Sequence, residues 1–559
     1  MSDELQTSKR QIEAHPGAFE PGTLILTVAL AAIGAFIGIH LITQLGISTH
    51  TSVIGAIIAM MIGRIGFGGF SRFRDIHRQN LAQTAISAGT FGAANAIITP
   101  LAITWAFGRP DLIWPMLFGA AGGLFVDAWV LYRSFGSAFL SARNAWPPGV
   151  AAAEAIKAGD QGGRRAKVLV AGGVVGFVLA WFGLSASAAG VALIGNVMAL
   201  LMFGVGLLVA QYFNLLPGLA EFSLSANYIP HGIMIGAGII ALVQAGVILF
   251  GRRRKHSANP GQPGLTAQTK SQDVEAESDP DPAELDTVDP RQLRRGLGSG
   301  FGLFIIVAIL LALVSGISVE MSVPILIAWV IYAAVAAFVS EIIVGLAAMH
   351  AGWFPATAIT LIFLILGLVL GFPPEPLLVL VGYTASTGPA FADMGYDLKA
   401  GWILRRIHSR HPGYRDYERS GRRQQYYSAM IGFVVALGMA AMLWKPYFEA
   451  DLIPPVAVVF ADTIKIGLTN SGALQTIAIW MILGAILQLI GGSSRQLGIM
   501  LATGLLIAVP YAGWLVFGAI ALKLALIRIK GKQIEEDLQL FGAGIITGDA
   551  FASLGKILR

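Results

Sequence analysis

Asn80, Gln83, Thr84 and Ser87 recur at i, i+3, i+4 and i+7 within an apolar stretch. That spacing gathers four hydrogen-bonding side chains on one helical face. Such a face either lines a polar pathway or joins helices through hydrogen bonds. Asp127 stands inside another apolar run, after Gly122-Gly123. A carboxylate at mid-bilayer costs at least ~2.5–3.5 kcal/mol on insertion scales, so it faces a polar cavity or a partner. Asp127 is therefore a proton or substrate site, or an interfacial acid paired with Arg133.

Glu154 follows the Pro148-Gly149 break on a small-residue stretch that ends in Lys157. A carboxyl held in a dry site can exchange a proton or bind an amino group. The plainer reading is a loop-edge acid beside Lys157. Asp397 and Lys399 follow Thr384-Ala385-Ser386-Thr387-Gly388-Pro389. Those hydroxyls and breaker residues suit a half-helix with freed backbone groups, or a cap on a span. Glu341 and His350 flank a Gly- and Ala-rich turn, and His titrates near physiological pH. Asp549 is a further ionisable group in an apolar run, and Asn95, Asn196 and Gln211 are polar groups of the same kind.

The elements that carry these groups are membrane spans. The chain has 559 residues, 55% of them hydrophobic and only 13% charged, against roughly 25% charged in soluble domains. Its mean hydropathy is +0.70. Apolar runs of the ~20 residues that cross a bilayer as helix recur throughout. A β-barrel would show short alternating segments instead. Cysteine is absent, which excludes disulfides, thiolate metal sites and cysteine nucleophiles. No P-loop, His-Glu-x-x-His or Gly-x-Ser-x-Gly motif is present. No catalytic residue, cofactor or bound metal is expected. The net charge of +6 fits basic cytoplasmic loops, not nucleic-acid binding.

The expected organisation has four parts: a cytoplasmic tail over 1–21, a first transmembrane repeat over 22–251, a disordered linker over 252–295 and a second repeat over 296–559. Plain spans lie near 22–46, 50–70, 81–107, 112–134, 168–184, 187–212 and 230–250 in the first half. The segment 213–229 is expected to cross as a short or broken helix. Spans in the second half lie near 297–317, 321–346, 353–372, 376–392, 425–444, 471–491, 497–527 and 538–557. Basic loops place the N terminus in the cytoplasm.

The halves echo each other. Gly163-Arg164-Arg165 precedes a span with Gly176-Phe177-Val178, and Gly421-Arg422-Arg423 precedes one with Gly432-Phe433-Val434. Gly236-Ala237-Gly238-Ile239-Ile240 matches Gly542-Ala543-Gly544-Ile545-Ile546. Both basic turns should face the cytoplasm, so the expected fold is an all-α polytopic membrane protein. It has two parallel repeats of about eight helices each, about 16 in all, some broken or re-entrant.

Several of these segments resemble the oligopeptide transporter family. Asn80-Leu81-Ala82-Gln83-Thr84-Ala85 with Ser87-Ala88-Gly89 is similar to its opening motif. Pro148-Gly149-Val150-Ala151-Ala152-Ala153-Glu154 resembles its Pro-x-Gly…Glu segment. Asp397-Leu398-Lys399-Ala400-Gly401 followed by Arg422-Arg423-Gln424-Gln425 resembles its Asp-Leu-Lys-x-Gly…Arg-x-Gln stretch, although Ile403–Ser420 intrudes between the two parts. Gly542 to Asp549 resembles its ending, with Asp549 where the family usually has Glu. The resemblance, to a bacterial-type member of a family that includes the yellow-stripe-like branch, implies proton-coupled symport of small peptides or peptide-like metal chelates. It implies a multi-pass protein of the bacterial inner membrane. Its expected partners are the substrate, protons and lipid, and a homo-oligomer stays open. The competing reading is a membrane-embedded enzyme or passive channel with a polar core.

Overall fold

The computed structural model describes residues 14–46, 70–158, 163–218, 222–224, 226–250, 287–351, 356–409, 411, 413–466, 471–507, 509 and 511–557. Among them the secondary structure is helical, without a named strand. Among the described residues, nine helical segments are long and apolar enough to cross a membrane. This is a polytopic membrane protein, as the hydropathy requires. The expected span near 50–70 and most of the linker lie outside the described residues.

The first half holds α1 (Pro21–Leu45), α2 (Ile76–Phe107), α3 (Ile113–Ser134), α4 (Pro147–Ala158), α5 (Gly163–Trp181), α6 (Ala186–Ile194), α7 (Val197–Tyr212) and α8 (Ile229–Phe250). The second holds α9 (Pro290–Val314), α10 (Val323–Ala351), α11 (Ala356–Val369), α12 (Pro374–Ser386), α13 (Pro389–Arg405), α14 (Tyr414–Glu449), α15 (Pro455–Ile466), α16 (Ser471–Arg495), α17 (Leu497–Leu505), α18 (Ala512–Lys530) and α19 (Ile534–Ile557). An Asp289–Gln292 capping box starts α9, so residues 290–295 are its first turns. The expected span 187–212 is two helices, because Gly195 is extended and Asn196 caps α7. Around 213–229 the described residues form a 3-10 turn, Phe213–Leu215, and further turns, with no helix that crosses.

Burial separates centre from periphery. The most apolar stretch of α2 is almost wholly enclosed, whereas at most a third of those of α9, α10, α16 and α18 is buried. Large apolar side chains such as Ile306, Ile327, Ile482 and Leu522 point outward there, as lipid-facing surface must. Glycine lets the inner helices touch: a Cβ on Gly38 of α1 would strike the Thr90 backbone of α2, and one on Gly89 would strike Ala31.

The same packing recurs between the halves. α5 lies on α19 and α8 lies on α16; α6 meets α19 and α18, while α17 meets α8 and α7. The contacts match residue by residue. Gly544 sits against Leu169 O, Gly548 against Gly173 O and Gly176 against Ile545 O. In the other pair Gly232 sits against Ile477 O, Gly236 against Met481 O and Gly484 against Ile233 O. The segments that correspond are thus Gly232-Ile233-Met234-Ile235-Gly236 and Gly544-Ile545-Ile546-Thr547-Gly548. The two Gly-Arg-Arg turns do not correspond: α5 packs on α19, whereas α14 packs on α1 and α2.

The sense of the helices also differs from the parallel arrangement that those turns suggested. One end of the bundle joins the start of α2 to the start of α14 (His77 and Tyr417, 3.0 Å). The end of α13 lies there too, through Arg405. At the opposite end the segment after α2 meets the start of α12 (Arg109 Nη1 donates to Glu375 Oε1, 3.0 Å). The end of α14 lies near the end of α2, where Trp105 and Phe448 are 5.9 Å apart. So α2 and the α12–α13 segment run antiparallel. Likewise α3 starts beside Arg109 and ends where Arg422 donates to Phe135 O, antiparallel to α14. Counting basic loops missed this because it treated two unrelated basic turns as equivalent.

Candidate functional site

The polar groups predicted on separate spans meet where α2, α3, α10, α13 and α14 pack together. Asn80, Gln83, Thr84, Ser87, Asp127, Glu341 and Asp397 all have no exposed surface. The polar face of α2 points at α13. Ser87 Oγ lies 2.8 and 2.9 Å from the two carboxyl oxygens of Asp393. Gln83 Nε2 donates to Asp397 Oδ1, and Asn80 Nδ2 donates to Gln83 Oε1 at 2.7 Å. Asp393 escaped the sequence reading. Its i, i+4 spacing from Asp397 is the signal that pairs them on one face of α13.

A second strand of the network comes from α14. Gln425 Nε2 donates to Asp397 O at 2.8 Å and to Thr84 Oγ1 at 3.3 Å. Its Oε1 accepts from Arg405 Nη1 at 2.7 Å. Arg405 is fully buried and also donates to Glu418 Oε1 at 3.3 Å. A buried guanidinium therefore reaches Asp397 through one amide. Gln425, Arg405 and Glu418 were not among the predicted site residues, since they sit in what reads as a basic loop.

The break between α12 and α13 gives Asp127 its place. Thr387 is extended, and Gly388 takes φ +100, a conformation that L side chains rarely adopt. The turn aims the first N–H groups of α13 at α3. Gly388 N donates to Asp127 Oδ2 at 2.6 Å, and the Phe391 backbone also bonds this carboxyl. The acid thus caps a half-helix from another helix, where the helix dipole favours negative charge. Its other face meets the carboxyl of Glu341 on α10. Among the described residues no hydroxyl, amide or cation hydrogen-bonds Asp127 Oδ1 or either carboxyl oxygen of Glu341. The hydroxyls of the break bond backbone carbonyls: Ser386 that of Tyr383, and Thr387 those of Ala337 and Thr384. They brace the turn.

Lys399 is also drawn in. Nζ donates to Ala142 O at 2.8 Å and Asn144 O at 2.9 Å, and it lies over the Trp402 ring. It thereby ties the segment before α4 to α13. Gly149 makes that approach feasible: a Cβ there would strike Tyr396 O and Lys399. Pro148, half-buried, stands in the first turn of α4. Glu154 faces away from the cluster. Its side chain is 61% exposed and pairs with Lys157 at 3.0 Å. His350 is exposed at the end of α10.

Asp549 belongs to a separate buried group. It accepts from Ser187 N at 2.6 Å and lies 3.8 Å from His40 Nε2 of α1. Among the described residues no group of three or more His, Asp or Glu could hold a metal ion.

The family model described as "OPT oligopeptide transporter protein" matches residues 185–558, about two thirds of the chain. The match takes in Glu341, Asp393 and Asp397, while Ser87 and Asp127 precede it. No curated protein matches the chain.

Proposed function

The chain belongs to the oligopeptide transporter family, and on that premise we propose that it is a secondary active transporter driven by protons. The cargo is a small oligopeptide or a peptide-like metal chelate, carried in symport. The observation that carries the coupling is the facing pair of Asp127 and Glu341, both fully buried. Two carboxyls in contact in a dry site cannot both be ionised. The pair therefore holds a proton in this closed arrangement and releases it when water enters. Asp393 and Asp397, held by Ser87 and Gln83, line the same route. Their carboxyls suit the amino group of a peptide, and Lys399 suits its carboxylate.

The orientation follows from charge. Arg78, Arg405, Arg419 and Arg422 lie at one end of the bundle, and Arg109 and Lys465 at the other. By the positive-inside rule the first end is cytoplasmic. The N terminus enters there, since Glu20 before α1 pairs with Arg78. We place the protein in a bacterial inner membrane with this orientation.

Purified protein in liposomes, given an inward proton gradient and di- to tetrapeptides or their metal chelates, tests the reading. Accumulation should follow the gradient and collapse with a protonophore. Uptake that ignores the gradient, or no uptake of either cargo class, sinks it.

A further inference from the structure

We propose that α4 and α15 are equivalent gates, one at each mouth of the buried acidic cluster, and that they open in alternation. The proposal rests on the transporter reading for its purpose but on independent observations for its substance.

The first observation is in the sequence. Pro147, Glu154, Ile156 and Lys157 recur as Pro455, Asp462, Ile464 and Lys465, at one constant offset along the chain. Both sets lie on helices of 12 residues that begin at the proline. Each helix puts its acid and lysine on neighbouring turns, with Lys157 at 3.0 Å from Glu154 and Lys465 at 4.0 Å from Asp462. The second observation is packing. α4 lies on α13 and touches α2, while α15 lies on α2 and touches α12. This is the exchange of halves already seen for α5, α8, α16 and α19.

The third observation is position. α4 packs at the arginine-rich end: Ala152 and Ile156 share a core with Phe73 and Leu404. α15 packs at the other end, where Lys465 Nζ donates to Ala106 O at 2.8 Å and lies over the Phe107 ring. Because the halves run antiparallel, equivalent helices fall at opposite mouths. A helix of this length spans about 18 Å, well short of a hydrocarbon core of about 30 Å. Each one covers an end without crossing.

Each gate is held by contacts that can break singly. For α4 these lie in the segment that leads into it: the Lys399 bonds to Ala142 O and Asn144 O, and Trp146 packed edge-on against Tyr396. On α15 they are the Lys465 bond to Ala106 O and the His231–Asp462 contact at 3.1 Å. The Glu154–Lys157 and Asp462–Lys465 pairs of the two helices are both partly exposed. A shift of the central helices toward one mouth can release one set while the other stays closed.

The chain contains no cysteine, so single cysteines report cleanly. Glu154→Cys and Asp462→Cys, both at sites with exposed surface, should react with a membrane-impermeant thiol reagent from opposite sides of oriented vesicles. Reaction of both from one side overturns the proposal. Buried reporters then test the alternation: Ala153→Cys on α4 and Ala461→Cys on α15. Adding Lys465→Met should speed labelling at Ala461→Cys about fivefold, the factor of one lost hydrogen bond, and slow labelling at Ala153→Cys. Equal acceleration at both reporters, or no change at either, overturns it. These readouts need no transport. Correct sidedness with no proton-driven uptake would remove the symport reading alone; active symport with one-sided labelling would remove the gates alone.

Discussion

At the scale of single residues, the site depends on groups whose environment is supplied by other helices. Asp127 accepts the backbone N–H groups that Gly388 and Phe391 offer at the start of α13. Glu341 has the facing acid instead. Replacing Glu341 by Gln should therefore abolish accumulation against a gradient while leaving substrate exchange across the liposome membrane measurable. Accumulation at the normal level in that variant removes Glu341 from the proton route. Gly388→Ala tests the turn. It forces a side chain into φ +100 and brings its Cβ within 2.9 Å of Val344. Strain of that kind costs of order 1–3 kcal/mol, visible as a lower unfolding temperature in detergent. Arg405→Met removes the nearer cation of the buried Glu418 and leaves it Arg422 at 3.9 Å. A destabilisation of about 1–3 kcal/mol, the cost of a lost charged hydrogen bond, is expected, to be read from the same unfolding measurement.

At the scale of elements, two attachments invite tests. The first is the close seat of α4 on α13. Gly149→Val puts side-chain atoms where Tyr396 O and Lys399 already are. It should lift α4, so that proteases cut near residue 150 faster than in the parent protein. The second is the segment before α1. His15 is buried against the rings of His77 and Tyr417, and Ala18 N donates to Gln424 Oε1 at 2.9 Å. Burial, and then the Arg405 and His77 charges, pull the His15 pKa from 6.5 down to about 3. The folded form thus prefers neutral His15, and the unfolded segment binds the extra proton. Its docking is complete above about pH 6.5 and weakens as pH falls from there toward 3. Hydrogen exchange of residues 14–20 should quicken across that window. His15→Phe should flatten the pH dependence; an unchanged profile in that variant assigns it to another group.

At the scale of the whole molecule, helices of the first half lean on helices of the second through glycine contacts. Changing Gly548 to Ile should disrupt the α5–α19 seam, where a Cβ already meets Gly173 O and Phe177 N. The matching change at Gly236 should do the same to the α8–α16 seam, at Met481. Similar losses of thermal stability are expected for the two variants. A large loss in one and none in the other would show that the seams are not equivalent.

Much of this was legible in the residues alone. Hydropathy decided the membrane class, because burying a charge in lipid is costly enough to restrict where acids occur. The spacing of Asn80, Gln83, Thr84 and Ser87 identified the face that meets α13, because helical periodicity is local. Asp127, Glu341 and Asp397 stood out as ionisable groups in or beside apolar runs. Tertiary structure alone decided which acids meet. Asp127 and Glu341 are remote in sequence, and nothing local tells that Glu154 turns outward while Asp393 turns in. It also decided the sense of the two halves. A short glycine motif recurs by chance in a helix-rich chain, and only contacts made at both ends of a bundle distinguish a parallel from an antiparallel pair.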